Sequence, residues 1–472
     1  MPNLDSQLET ETIALNQWLY AESVGLPVDP EGYARPAEAL ARLYADLLEH
    51  ATEIGQRYFA LENWAETRLA ALDQHLGAER DHHLSLPVFQ SSEGPLTWRN
   101  WKTFERETND GRLGEAFGQM VDASAHLRPA LEERLALWRA DYAAHNLTPA
   151  HIWCWREGLR PEDLRAFLRR TGEANRAPFQ ESLTTLSHAV FGRAAGPAEL
   201  RALYLNRMYE PTTDCFITTD QKPGFFKKPG FSENWIEHTQ AVFAALSFGL
   251  AHVPVDVEPR PRKYPGAFCF PIATPGDVRV SVRVASPHHL VDMLYHEFGH
   301  AAHFSGIRAD LPFVERYWIH SGTHETFSTL FESLLGEPEF LREQFGSDDT
   351  TIERLLDFHR FKMRLTKTWL AASALTTLEG WLDNLSWPEI ETHFAANMLA
   401  CTGVPLPPGF ARLEPFTAAC SIYPAGYVLA VERVERWVTH LRALGGERWW
   451  RSADVRADVW KKVRAGGQVR FG

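Results

Sequence analysis

The chain has 472 residues, is 44% hydrophobic and 23% charged, and carries a net charge of −13. That is the composition of a folded globular protein, and it excludes collagen-like, low-complexity and wholly disordered chains. A net-acidic chain without a basic run also argues against nucleic acid or an anionic membrane as partner.

The first twenty residues, MPNLDSQLETETIALNQWLY, are acidic and hold no apolar run of signal-peptide type. Residues 36–76 repeat apolar side chains at three- and four-residue spacing, with Leu40, Leu43, Leu47 and Leu48 as an early stripe, which predicts amphipathic helix broken once. Residues 113–145 and 161–192 read the same way. Pro161, Glu162 and Asp163 mark a helix start, with proline in the first turn and acids at the positive end of the dipole. Residues 1–215 are therefore expected to form a helical N-terminal lobe, and residues 216–472 a second region. KPGF occurs twice, at 222–225 and 228–231, and two Pro-Gly pairs predict a turn-rich surface connection. The longest apolar stretch, residues 241–251, is too short to span a bilayer. Residues 277–284, DVRVSVRV, alternate strictly and predict a strand with Val278, Val280, Val282 and Val284 on one face. Five widely spaced cysteines without a CxxC pair are expected to be reduced thiols, and a cytoplasmic protein follows.

The chemistry gathers after that strand, in VDMLYHEFGHAAHF, residues 291–304. On a helix, His296 and His300 lie one turn apart on one face, so both imidazoles can reach a single ion, and Glu297 beside them can take a proton from an attacking water. The longer HExxHxxGxxH pattern is absent: His303 stands at its glycine and Gly306 at its third histidine. His303 lies two turns from His296, roughly 10.5 Å along the axis at about 1.5 Å per residue, so a supporting or structural place is expected for it. A catalytic zinc usually takes three protein ligands and keeps one position open. Glu325, 29 residues beyond His296, follows a Ser-Gly-Thr turn and begins an apolar-periodic run, and from its position alone it reads equally well as a solvated charge at a helix N-terminus. As a ligand it would complete a His, His, Glu set. Glu332, two turns on, faces the same way and could hydrogen-bond a ligand imidazole.

HEFGHAAH with HETFSTLFE downstream resembles the thimet oligopeptidase and oligoendopeptidase F family of zinc peptidases. KYPGAFC, residues 263–269, is similar to that family's Gly-Ala-aromatic stretch, and residues 416–434 to its tyrosine-bearing loop and helix. The chain also resembles Taq-type thermostable carboxypeptidases, through Asp277, Arg279 and Ser281 on the strand and His324, Glu325 and Thr326 downstream. The resemblance implies a mainly α, zincin-like (neurolysin-type) helical architecture, with a small β-sheet beside the HExxH helix and a deep central channel. It makes residues 216–472 the catalytic region. It implies one Zn2+ per chain on His296, His300 and Glu325, with Glu297 as base and Tyr423 or Tyr427 as oxyanion donor. Pro424 and Gly426 between those tyrosines predict a loop. A histidine and a third tyrosine of the family are here Ala418 and Ala430.

An extended peptide is expected to pair with the edge of the 277–284 strand, Arg279 is the candidate for a substrate carboxylate, and the resemblance makes Gly266 and Ala267 substrate-binding residues. The expected function is hydrolysis of short unstructured peptides. A metallocarboxypeptidase and a catalytically inactive peptide-binding protein are the alternatives. Oligomeric state leaves no local signature in the sequence.

Overall fold

The structure is a computed structural model that describes residues 4–85, 89–91, 94–96, 112–205, 207–216, 231–264 and 266–471. Helices dominate, as the three- and four-residue periodicity requires. The apolar pattern of residues 36–76 becomes two helices, Pro30–His50 and Ile54–Ser85, with the break at residues 51–53. Pro161 opens the helix Pro161–Phe191, with Glu162 and Asp163 in its first turn. The KPGF tetrapeptides lie outside the described residues, except that Phe231 opens the helix Phe231–Ala245. No helix among the described residues is long and apolar enough to cross a membrane.

Two units share the chain. One comprises Met1–Thr67, Pro211–His359 and Leu429–Gly472, and the other Arg68–Glu210 and Arg360–Val428. The boundary expected near residue 215 lies close to one of the four points where the chain passes between them.

Strands β1 (Phe89–Ser91) and β2 (Gly94–Leu96) form an antiparallel hairpin in the second unit. The regular elements of that unit among the described residues are otherwise helices. Gly172 on Pro161–Phe191 has no side chain where one would collide with Cys401 on the helix Trp387–Thr402, a Cβ falling 2.4 Å from its Sγ. Arg412 Nη1 donates to Glu391 Oε1 at 2.7 Å, and both side chains are buried. Arg128 and the Trp387 indole donate to the same carboxylate.

The first unit holds a three-stranded sheet: β3 (Val255–Asp256), β4 (Ala267–Ala273) and β5 (Asp277–Val282). Its order is β3-β5-β4, with β3 parallel and β4 antiparallel to β5. The predicted strand exists, but it is the central one. Both its edges are taken, so the expectation that a peptide adds to it does not hold. The neighbour β4 has a strand on one side only among the described residues.

Alternation then places the rest. Val278, Val280 and Val282 pack with Leu290, Leu294 and Phe298 of the helix Pro287–Gly306, here the motif helix. The opposite face of β4 packs Phe268, Phe270 and Ile272 against Tyr20 and Val24, at the end of the helix Leu4–Ser23. Ser286 caps the motif helix by accepting from His289 N at 3.1 Å, with Pro287 at the first helical position.

The buried Glu391 makes one testable point about the second unit. Arg412→Ala leaves that carboxylate short of a buried cation, with Arg128 compensating in part. It is expected to cost about 3 kcal/mol, read from urea unfolding.

Candidate metal centre

Two helices build the centre. The motif helix carries His296, Glu297 and His300. The helix Ser321–Glu332, here the carboxylate helix, carries Glu325 and Glu332. They approach closely because Gly299 lacks a side chain. A Cβ there would lie 2.6 Å from Ser328 Cα and 3.0 Å from the Phe327 carbonyl oxygen. Apolar residues on both helices, Phe298, Phe327 and Leu330 among them, close the interface in one core.

Across this contact, one ligand atom from each of His296, His300 and Glu325 falls within 4.8 Å of the others. Glu325 Oε2 lies 3.4 Å from His296 Nε2 and 3.4 Å from His300 Nε2. These separations are long for hydrogen bonds. Ligands about 2.0–2.1 Å from a tetrahedral Zn2+ lie about 3.3 Å from one another, so the spacing suits a metal. Two imidazoles and a carboxylate are also the donor set of a catalytic zinc site. Glu325 is only 1% exposed, and a carboxylate so buried requires positive charge or strong donors beside it. The three residues therefore fit a divalent cation.

Their supports are also in place. Glu332 Oε2 lies 2.8 Å from His296 Nδ1. Ser328 Oγ lies 2.9 Å from Glu325 Oε2 and 3.0 Å from the Glu325 carbonyl, so its single proton can serve either oxygen. Glu297 is buried. His324 stands against the cluster, its ring centroid 5.0 Å from that of His300 and its Nδ1 3.7 Å from Glu325 Oε1. His303 is fully buried and stacks on Phe327 at 4.1 Å, and neither of its ring nitrogens has a hydrogen-bond partner among the described residues.

The field at the centre favours charge separation. Burial opposes a proton on His296, yet Glu325, Glu332 and Glu297 hold its pKa well above the usual imidazole value. Burial alone would raise Glu325, but His300, His296 and His324 hold it well below the usual carboxylate range. Burial pushes His324 down to about 3, with His300 and His296 adding to the shift and Glu325 opposing it.

Other expected site residues sit as follows. Gly266 precedes β4, and its carbonyl accepts from Arg283 N at 3.2 Å. Ala267 opens β4, opposite Val282. Arg279 is bound by its neighbour: Nε and Nη2 donate to the two Asp277 carboxylate oxygens at 2.9 and 2.6 Å, and the guanidinium lies 5.1 Å over the Tyr20 ring. Tyr423 and Tyr427 belong to the second unit, with ring centroids 5.4 Å apart. The expected loop is a helix: Pro424 opens Pro424–Gly445 and Tyr427 lies in its first turn, because proline suits the first helical position. Glu325 lies in the second turn of its helix rather than the first, since Ser321, Gly322 and Thr323 are already helical.

The sequence reading missed Gly299 and Ser328. For Ser328 a signal existed, a hydroxyl three residues beyond Glu325 and hence on its side of the helix.

A helical fold with a small sheet beside a His-Glu-His helix and a converging carboxylate is that of a zincin-like metallopeptidase. The sequence profile of peptidase family M3 matches residues 115–379, more than half of the chain and all of the centre, and the chain belongs to that family. No curated protein matches the chain by sequence. Three solved structures are similar in fold. An M32 carboxypeptidase from Deinococcus radiodurans R1 has a TM-score of 0.58 at 14% identity, over 99% of this chain and 92% of that one. Metallocarboxypeptidase 1 of Trypanosoma cruzi has 0.57 at 13%, over 99% and 94%. A structure assigned as oligoendopeptidase F from Bacillus anthracis str. Ames has 0.56 at 14%, over 99% and 79%.

The Gly299–Ser328 contact can be tested without turnover. Gly299→Ala pushes the two helices apart, and Ser328→Ala frees the Glu325 carboxylate. Each is expected to weaken Zn2+ binding about 10–100-fold in a chelator competition, with wild-type circular dichroism retained in Ser328→Ala.

Proposed function

We propose that this peptidase is zinc-dependent and hydrolyses short unstructured peptides at internal bonds. The observation that carries the reading is the meeting of His296 Nε2, His300 Nε2 and a Glu325 oxygen at the spacing of a zinc coordination shell. The five cysteines are free, which suits a reducing cytoplasm, and we place the protein there.

His296, His300 and Glu325 would hold Zn2+, which would supply Lewis-acid polarisation of the water and of the scissile carbonyl. The remaining work falls to side chains of this chain. Glu332 accepts the Nδ1–H of His296, which fixes the tautomer and turns the Nε2 lone pair toward Glu325. Ser328 restrains Glu325 from behind. Glu297 takes a proton from the attacking water and delivers it to the leaving amine. Tyr423 or Tyr427 donates a phenolic hydrogen bond to the oxyanion, a part assigned through the family resemblance.

The substrate lies along the outer edge of β4 at Gly266, Ala267 and Cys269, ending before Pro271, whose carbonyl accepts from Asn16 Nδ2 at 3.1 Å. It is read there through its backbone, which favours extended chains over folded ones. This replaces the edge of β5, which the sheet already uses.

The alternative, a metallocarboxypeptidase, needs a cation for the substrate's terminal carboxylate. Arg279 was its candidate, and its guanidinium fork is engaged by Asp277. That favours internal cleavage. A catalytically inactive peptide-binding role is disfavoured by the retention of both histidines, Glu297 and Glu325.

Glu297→Gln is expected to keep stoichiometric zinc and lose about 10²–10⁴ of the hydrolytic rate. Glu325→Ala is expected to lose zinc in elemental analysis; full occupancy would assign the third ligand elsewhere. Peptide, C-terminal amide and N-acetyl forms, digested and weighed, separate the two modes of cleavage. Internal cuts indifferent to amidation support the proposal, whereas stepwise C-terminal loss blocked by amidation favours the carboxypeptidase.

A further inference from the structure

We propose that the face of β4 turned away from the metal centre selects the substrate. Tyr264, Phe268 and Phe270 form an aromatic subsite there for apolar side chains at two peptide positions separated by one residue. The inference rests on the edge-strand reading of substrate binding given above, and it adds to that reading a side-chain preference.

Register supplies the first step. In β4, Ala267 and Cys269 lie opposite Val282 and Val280, on the side packed against the motif helix. Phe268 and Phe270 lie opposite Ser281 and Arg279, on the other side. Directly opposed residues of neighbouring strands share a face. A peptide added to the outer edge of β4 obeys the same rule. Its residue opposite Cys269 points toward the motif helix, and the residues opposite Phe268 and Phe270 point the other way.

The second step is which peptide residue faces the helix of the base. Ala267 and Cys269 pack against the core formed with Leu290, Leu294 and Phe298 of the motif helix, the helix that carries His296, Glu297 and His300. The peptide residue opposite Cys269 is thus turned toward the helix that carries the base, and its two flanking residues are turned toward Phe268 and Phe270.

What they meet is a continuous apolar surface. The rings of Phe268 and Phe270 stand edge to face at 5.3 Å, and those of Tyr264 and Phe268 at 5.9 Å. Both phenylalanines pack on one side against Tyr20 and keep part of their surface exposed. Tyr264 is 56% exposed. Its ring folds back over Gly266, where a Cβ would come within 2.8 Å of Tyr264 Cε1. Glycine at 266 therefore lets an exposed aromatic lie along the approach to the edge strand. Edge-to-face contact with an incoming aromatic, or burial of an aliphatic side chain, stabilises a bound peptide without contributing to bond breaking.

The test is a positional-scanning library of fluorogenic peptides cut by the zinc-loaded wild type, with cleavage sites assigned by mass. Apolar residues are expected to be preferred at two positions, one residue apart, flanking a tolerant position beside the cut. Tyr264→Ser is expected to raise KM about tenfold for a peptide with Phe at the responsive position and under about twofold for its Gly counterpart. Tyr264→Phe is expected to keep the wild-type discrimination, since the ring remains. Absence of a paired preference, or an equal effect of Tyr264→Ser on both peptides, overturns the subsite and leaves the peptidase reading intact. Wild-type protein that cuts no peptide overturns the peptidase reading, and the subsite with it.

Discussion

The centre depends on a contact with no charge in it. Gly299 presents bare backbone to Ser328, and the two helices approach to a distance that any side chain at 299 would forbid. Only at that distance does Glu325 reach between His296 and His300. A carboxylate on a helix an ångström or two further away would serve neither imidazole, and burying it would cost several kcal/mol. The apolar core around Phe298, Phe327 and Leu330 holds the helices together, and the missing Cβ sets how near they come.

Given that approach, the electrostatics follow. Glu297, Glu325, Glu332 and His300 are buried within one small volume, with His296 and His324 half-buried beside them. Each carboxylate favours positive charge on the imidazoles, and each imidazole favours negative charge on Glu325, which is the direction both pKa values take. A divalent cation satisfies the same field more fully than a proton on His296 does, so metal binding and proton release are linked at this site. Glu332 differs from the other two acids by facing the far nitrogen of His296. Its negative charge would strengthen the donor atom that His296 offers to a cation, Nε2, from the ring's opposite side.

The parts legible in the sequence were those whose signal is local. His296 and His300 share a helix face by spacing alone, and Val278, Val280 and Val282 alternate as any half-buried strand must. The resemblance to zinc peptidases pointed to Glu325, where spacing left it balanced against a solvated charge. The illegible parts depend on partners distant in the chain. Nothing in DVRVSV says that its edges are both paired, because strand order is set by which segments meet after folding. The sequence AFCFPIA carries a proline and no polar alternation, so β4 gave no period-2 signal of its own. Gly299 looks like any helical glycine until Ser328 lies against it. Tyr427 was expected in a loop because proline and glycine sit beside it, yet proline at a first helical position starts a helix as readily as it ends one.

The same period of two that buries the valines of β5 also governs what an added strand can present. Backbone pairing at an edge ignores side-chain identity, so it gives breadth, and it excludes folded proteins because only an extended segment can dock. Side-chain selection then enters only where the edge strand carries groups able to discriminate. On β4 the face toward the motif helix carries the small residues Ala267 and Cys269, which leave room for the reacting bond. The opposite face carries Phe268 and Phe270, with Tyr264 alongside. The alternation thus separates two tasks that would otherwise compete for one surface. On the proposed binding mode the small-residue face would admit the peptide to the motif helix, and the aromatic face would hold it in register. Moving either phenylalanine by one position would turn a ring toward the motif helix, so the proposed binding mode requires the order Ala, Phe, Cys, Phe on this strand.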